Sequence, residues 1–253
     1  MTFEQKLELS KIRVRTALRD HDEEKCAVAC SFGKDSMAVL HLVRQYAPNI
    51  LVQFTNTGVE FPETIQHRDR VVKDWNLNFV EARNHETNFW KIVEKYGWPQ
   101  QRWGGSSGTH APKCCELLKE RPAWECLKAR GIKCIFTGIT AAESRNRWML
   151  QRRCGDYYYT KTQGFWKCHP IMDWMVDEVW EYTKTNQIPI NPFYERFPRQ
   201  RVGCMPCTGH LHWEEKMAAS YPKMYSLVQR RRGQMLIDEV RDVPEQGEPR
   251  QGE

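Results

Sequence analysis

The chain has 253 residues, 40% of them hydrophobic and 28% charged, with a formal net charge of +6. That length suits one α/β domain with an appended segment, and the composition is that of an ordinary soluble protein. No apolar stretch reaches the length of a membrane span, and the N-terminal Met-Thr-Phe-Glu-Gln-Lys lacks a signal-peptide profile, so a cytoplasmic protein is expected.

Residues 3–20 have helical periodicity. An apolar strand at 25–30 then breaks into Ser31-Phe-Gly-Lys-Asp-Ser36. A helix with an apolar face of Met37, Val39, Leu40, Leu42 and Val43 follows, to about residue 46. A strand, turn and helix of this kind holds phosphate: the turn exposes N–H groups, the helix N-terminus adds partial positive charge, and Lys34 adds a full one. The spacer of a Walker loop is missing. A second strand at 50–55 ends in Asn56-Thr-Gly-Val-Glu-Phe-Pro-Glu-Thr64, followed by a helix near 63–75 and a short strand near 78–82. The Gly-, Ser- and Trp-rich stretch 97–112 reads as a loop able to close over the site as a lid. A helix over 114–130 and a strand over 133–137 come next. Beyond 150 the pattern predicts loops and short helices, one of them near 173–187, and a polar tail from 238 expected to be disordered.

Strands alternating with helices predict an α/β fold with a doubly wound, mostly parallel sheet. Residues 1–150 would form that domain, with 151–237 as a C-terminal segment packed against it. Ligands bind beyond the C-terminal ends of such strands, where the 31–36, 56–64 and 138–147 turns all fall.

Ten cysteines in a reducing compartment point to metal binding or catalysis rather than disulfides. Cys26, Cys30, Cys126 and Cys134 read as small core residues, while Cys154 and Cys168 have no evident role. Cys114-Cys115 and Cys204-Met-Pro-Cys207 together form a four-thiolate set. Adjacent cysteines suit a cubane cluster better than one small ion, with zinc or a redox Cys204/Cys207 pair as alternatives. Arginine clusters at Arg145–Arg147, Arg152–Arg153, Arg196–Arg201 and Arg230–Arg232 lie among Trp148, Tyr157, Tyr158, Tyr159, Phe165 and Trp166. They read either as a nucleic-acid surface or as solvated faces.

The Ser31–Ser36 loop resembles the Ser-Gly-Gly-Lys-Asp-Ser loop of PP-loop ATP pyrophosphatases, with Phe32 in place of the first glycine. The segments 56–64, Cys114-Cys-Glu-Leu-Leu-Lys-Glu-Arg-Pro122, Gly138-Ile-Thr-Ala-Ala-Glu-Ser-Arg-Asn-Arg147, His169-Pro-Ile-Met-Asp-Trp174 and Pro189–Tyr194 are similar, in order, to motifs of the phosphoadenylylsulfate (PAPS) reductase family, iron–sulfur branch. The resemblance implies ATP, Mg²⁺ and a 4Fe–4S cluster as cofactors. It implies that Ser31, Phe32, Gly33, Lys34, Asp35 and Ser36 hold pyrophosphate, with Thr57, Gly58, Gly138, Glu143 and Ser144 by the nucleotide. Lys119 would face the phosphates or the cluster, Lys34, Asp35 and Arg147 would be catalytic, and Cys114, Cys115, Cys204 and Cys207 would ligate the cluster.

Sulfate-type reductases of this family carry a nucleophilic cysteine in a C-terminal Glu-Cys-Gly-x-His segment, and no cysteine follows Cys207 here. The resemblance therefore shifts toward the DNA phosphorothioation ATP pyrophosphatases. They activate a backbone phosphate so that sulfur from a cysteine desulfurase can replace an oxygen. Implied partners are ATP, nucleic acid (DNA ahead of tRNA) and the desulfurase, with a homodimer as one arrangement. Two alternatives stay open. One is an adenylylsulfate or phosphoadenylylsulfate reductase using Cys154 or Cys168. The other is a non-catalytic nucleotide- or DNA-binding component, which Phe32 keeps in play.

Overall fold

The computed structural model describes residues 1–99, 113–197, 201–207 and 212–241. The sheet is built around its most apolar strand, β1 (Cys26–Ala29), fully buried at Cys26, Ala27 and Val28. A strand buried on both faces needs parallel neighbours covered by helices. β1 accordingly pairs in parallel with β2 (Leu51–Thr55) on one side and β4 (Cys134–Thr137) on the other. β3 (Phe79–Ala82) extends the sheet beyond β2, β6 (Phe165–Cys168) pairs in parallel with β4, and β5 (Tyr157–Thr160) closes the edge antiparallel to β6. The order is β3-β2-β1-β4-β6-β5. The chain leaves β1 in one direction and resumes on its other side at β4, which makes the crevice between them the switch point where such sheets bind ligands.

Three helices bracket this core. α1 (Phe3–His21) starts with a capping box at Thr2 and Gln5. α2 (Lys34–Arg44) is buried along nearly its whole length, at Met37, Ala38, Val39, Leu40, Leu42 and Val43 among others. α3 (Pro62–Asp74) has proline in its first turn, where the missing N–H costs nothing. Farther along, α4 (Phe89–Tyr96) precedes α5 (Lys113–Cys115), which continues through a π-helical turn, Glu116–Glu120, into α6 (Arg121–Ala129). α7 (Arg145–Cys154), α8 (Val176–Thr185), α9 (Phe193–Arg196), α10 (Trp213–Ser220) and α11 (Pro222–Arg241) complete the chain.

The structure corrects the sequence reading in two places. Past residue 150, where loops and short helices were expected, β5 and β6 add a hairpin to the sheet. Their aromatic residues are mostly structural: Phe165 is fully buried, and Tyr157 and Trp166 stack at 5.0 Å. Helix α11 runs through residues 238–241, the start of the tail expected to be disordered. The rest of that tail and the lid segment 100–112 lie outside the described residues. Asp173 and Trp174 also have structural roles. Asp173 pairs with Arg13 at 2.6 Å, and the fully buried Trp174 indole donates to Ser10 Oγ at 3.0 Å.

Candidate nucleotide and thiol site

The Ser31–Ser36 loop joins the C-terminal end of β1 to the N-terminus of α2. Gly33 is the helix N-cap, and Lys34 opens the first turn. The Ser36 hydroxyl donates to the Gly33 carbonyl at 2.9 Å and lies 3.2 Å from the Ser31 hydroxyl, so both serines brace the turn. The Lys34 ammonium, nearly buried, pairs with Asp35 at 2.6 Å.

Phe32 occupies the left-handed region at φ 56°, a conformation that favours glycine. Its ring points away from the loop into the core, against Phe54 at 5.7 Å and Phe79 at 6.2 Å. Its carbonyl accepts from Asn191 at 3.1 Å. Phe32 thus gives the loop the turn of a glycine while its side chain stays out of the ligand space. A role for the Phe32 ring in holding pyrophosphate does not fit this placement.

Gly138, at the end of β4, meets the same turn from the other side of the crevice. A Cβ there would sit 2.6 Å from Asp35 C and Ser36 N. Backbone contact this close is available to glycine alone. The following turn carries Glu143, which forms an ion pair with Arg147, and Ser144, whose hydroxyl caps α7 by accepting the Arg147 N–H at 3.3 Å. Burial, with Arg201 nearby, lowers the Arg147 guanidinium to about 10, and Asp35 opposes that shift. Arg147 therefore stays protonated at neutral pH and senses both the loop and residue 201. The Thr140 hydroxyl in this turn is buried without a hydrogen-bond partner among the described residues.

The sequence reading gave no individual role to Asn191, Tyr194 or Arg201, although the first two lie in a segment it singled out. The Tyr194 hydroxyl accepts the Lys34 N–H at 2.9 Å, and Asn191 ties Phe32 to Thr64. Burial pushes the Tyr194 phenol upward, so it stays neutral and keeps this role.

The 201–207 segment links this loop to the thiols. Val202 lies against the position a Gly33 Cβ would take. Met205 N–H donates to Val59 at 2.8 Å, and Glu60 and Cys204 form an antiparallel bridge. Thr57 donates its hydroxyl to Glu60 at 2.8 Å and lies 3.2 Å from Cys204 Sγ, while Gly58 turns the chain at φ 80°. Burial raises the Glu60 carboxyl, against the opposing influence of Thr57, Lys119 and Arg68. The Cys204 thiol is pushed up to about 12 by burial and by Glu60, while Lys119 works the other way. Cys114, packed beside Leu118, is raised by its hydrogen bond with Cys115 and by burial. It is also close enough to Cys204 and Cys207 for their charges to act on it. The two cysteine pairs, distant in sequence, thus converge beside Thr57, Glu60 and Lys119. Among the described residues no three His, Cys, Asp or Glu side chains are disposed to hold a single metal ion.

Other thiols lie elsewhere. Cys26, Cys30, Cys134 and Cys168 are buried, Cys126 is half-buried, and burial pushes the Cys168 thiol well up. Cys154 is exposed at the last turn of α7. Among the described residues no helix is long and apolar enough to cross a membrane.

The chain is similar to known proteins over most of its length. The profile described as "Phosphoadenosine phosphosulfate reductase domain" matches residues 25–210. A Methanocaldococcus jannaschii protein, MJ0066, is 30% identical over 204 residues, 78% of this chain, which spans 39% of that protein's length. The phosphoadenosine 5'-phosphosulfate reductase of Xanthomonas campestris is 30% identical over 73% of this chain and 71% of its own. The adenosine 5'-phosphosulfate reductase of Staphylococcus haemolyticus is 27% identical over 71% and 69%. Among solved structures, the phosphoadenylyl-sulfate reductase of Candida auris superposes with a TM-score of 0.59 at 16% identity, over 77% of this chain and 87% of that one. The tRNA thiolase NcsA of Methanococcus maripaludis, solved with its 4Fe–4S cluster, gives 0.55 at 14% identity over 99% and 86%. These structural likenesses establish a PP-loop α/β fold.

Proposed function

The chain belongs to the phosphoadenosine phosphosulfate reductase domain family, and on that premise we propose that it is a PP-loop ATP pyrophosphatase that activates a nucleic-acid backbone phosphate for sulfur transfer. One observation carries the reading: the Gly138 backbone closes on the first turn of α2, where Lys34 pairs with Asp35 and Arg147 is near enough for Asp35 to act on it. Such a site binds a polyphosphate through N–H groups and cations. An acceptor oxygen attacks the α-phosphorus, the α–β bridging bond breaks, and pyrophosphate leaves with the bond electrons. Lys34 and Arg147 neutralise the charge that develops there. The terminal sulfur of a desulfurase persulfide then attacks the acceptor phosphorus and displaces AMP, which departs with the acceptor's oxygen. A thiol reductant attacks the inner persulfide sulfur, forming a disulfide and leaving the terminal sulfur on phosphorus. The loop Ser31–Ser36 would hold the pyrophosphate with Mg²⁺, which would offset phosphate charge. Cys114, Cys115, Cys204 and Cys207 would hold a 4Fe–4S cluster, which supplies a sulfur or electron carrier. The approach of Cys114 to Cys204 and Cys207, with Cys115 next to it in sequence, supports that assignment over zinc. Phe32 in a glycine-like turn supports an active loop over a purely binding one.

The second reading, an adenylylsulfate or phosphoadenylylsulfate reductase, is favoured by the names of the curated relatives. It needs a nucleophilic thiol at the crevice. Cys168 is buried, and Cys154 lies two helical turns from Arg147. The test is pyrophosphate release from ATP by anaerobically purified protein, alone and with DNA, tRNA or adenylylsulfate. Release stimulated by a nucleic acid supports the proposal. Sulfite from adenylylsulfate, with no pyrophosphate from ATP, replaces it with the second reading. Lys34→Ala should lower pyrophosphate release by at least about a hundredfold.

A further inference from the structure

The structure sorts the arginine clusters of the sequence by what each already does. Arg196 stacks on Tyr221 at 4.6 Å and pairs with Glu63. Arg231 and Arg232 lie over Trp90 and Trp98 at 4.9 and 5.3 Å, and Arg232 also pairs with Glu214. These side chains hold the C-terminal helices in place. α7 is different. Its ten residues, Arg145-Asn-Arg-Trp-Met-Leu-Gln-Arg-Arg-Cys154, include no acid, and none of them is buried. Trp148 is 47% exposed, and the Arg152 guanidinium lies over one face of its ring, 5.1 Å from the centroid. Among the described residues Arg145, Arg152 and Arg153 have no carboxylate partner. On the neighbouring edge strand Tyr159 is 49% exposed.

A helix with no buried stripe draws little stability from its own fold. This one also leaves an indole in water. Arginines without counter-charges beside an exposed aromatic surface match a phosphate backbone with bases that can stack. A paired base cannot offer its face, which selects single strands over a duplex. The helix begins next to the crevice: Arg147, one residue before Trp148, senses Asp35 of the phosphate loop.

We propose that α7 is a docking helix for single-stranded nucleic acid, with Trp148 as the stacking platform and Arg145, Arg152 and Arg153 as backbone contacts, leading the strand to the nucleotide crevice. This rests on the reading of nucleic acid as acceptor and names the form and the surface.

The experiment is fluorescence anisotropy of a labelled single-stranded 20-mer and of its duplex with full-length protein, over a range of salt. The wild type should bind the single strand at least tenfold tighter than the duplex. Trp148→Ala should weaken single-strand binding about tenfold. The double variant Arg152→Gln, Arg153→Gln should reduce the log–log salt slope by about 1.4, at about 0.7 per lost phosphate contact. Leu227→Ala, an exposed side chain on α11, is the control and should bind as wild type. Thermal melting checks that each variant is folded, and the arginine variant keeps the test open if Trp148→Ala does not fold. Unchanged binding by both variants overturns the proposal. Tighter binding of the duplex also overturns it, as does a dimer in sedimentation that Trp148→Ala dissolves. Pyrophosphate release without single-strand binding sinks this docking surface alone. Binding without pyrophosphate release sinks the ATP pyrophosphatase reading and leaves the surface standing.

Discussion

Gly138→Ala is the sharpest test of the crevice, because the perturbation is one methyl group and the obstacle is backbone. The added Cβ would sit 2.6 Å from Asp35 C, 2.6 Å from Ser36 N and 2.7 Å from Asp35 O. Ordinary contact begins near 3.4 Å, so the end of β4 and the start of α2 must separate by roughly 0.8 Å. No side chain can swing away to absorb that shift. Overpacking of this kind costs about 1–3 kcal/mol, which for a chain of this size lowers Tm by about 2–4 °C per kcal/mol. The effect on function should be larger than the effect on the fold. Displacing a phosphate-binding turn by nearly an ångström is worth about a hundredfold in rate. The assay is differential scanning fluorimetry beside ATP binding and pyrophosphate release. Gly233→Ala is the internal contrast: it lies in α11 with nothing within 4 Å of its added Cβ, and should stabilise by up to about 1 kcal/mol. If Gly138→Ala melts as wild type and binds ATP unchanged, the two turns do not form one site and the reasoning fails.

Cys204→Ser should abolish the brown absorbance and most of the iron of anaerobically purified protein, and full iron retention would remove Cys204 from the ligand set. Burial holds His169 down to about 3 and His67 down to about 4, so both are neutral in the folded chain. The unfolded chain protonates them below about 6.5, so stability is complete above that pH and falls as pH drops toward 4. The slope is about 1.4 kcal/mol per pH unit for each histidine. His169→Gln should flatten urea-measured stability over that window by about one such increment, and an unchanged slope refutes the assignment. In native alkylation followed by mass spectrometry, Cys154 should react at least tenfold faster than Cys168; equal rates would contradict their placement.

How much of this was legible beforehand differs by element. The strand at 26–29, the Gly33-Lys34 turn and the helix after it are encoded within about a dozen residues, through apolar runs, turn chemistry and 3.6-residue periodicity. Local signals of that kind survive without tertiary context. The hairpin at 157–168 carried such a signal too, aromatic runs on either side of a turn ending at Gly164. The neighbouring arginines drew its tyrosines into a surface reading instead, and only the sheet shows Tyr157 and Phe165 turned inward. Spare and occupied arginines look alike in sequence, because partners such as Glu63 and Trp90 are brought in by packing of distant helices. Three further facts depend on which ends of which strands adjoin. They are the closing of Gly138 on Asp35, the Tyr194 hydroxyl on the Lys34 N–H, and the meeting of Cys114 with Cys204 and Cys207. That adjacency comes from the crossover between β1 and β4 and from the docking of 201–207 on the loop after β2. The chain alone determined which chemistry was available. Long-range pairing, to which no local pattern is sensitive, decided which groups face one another.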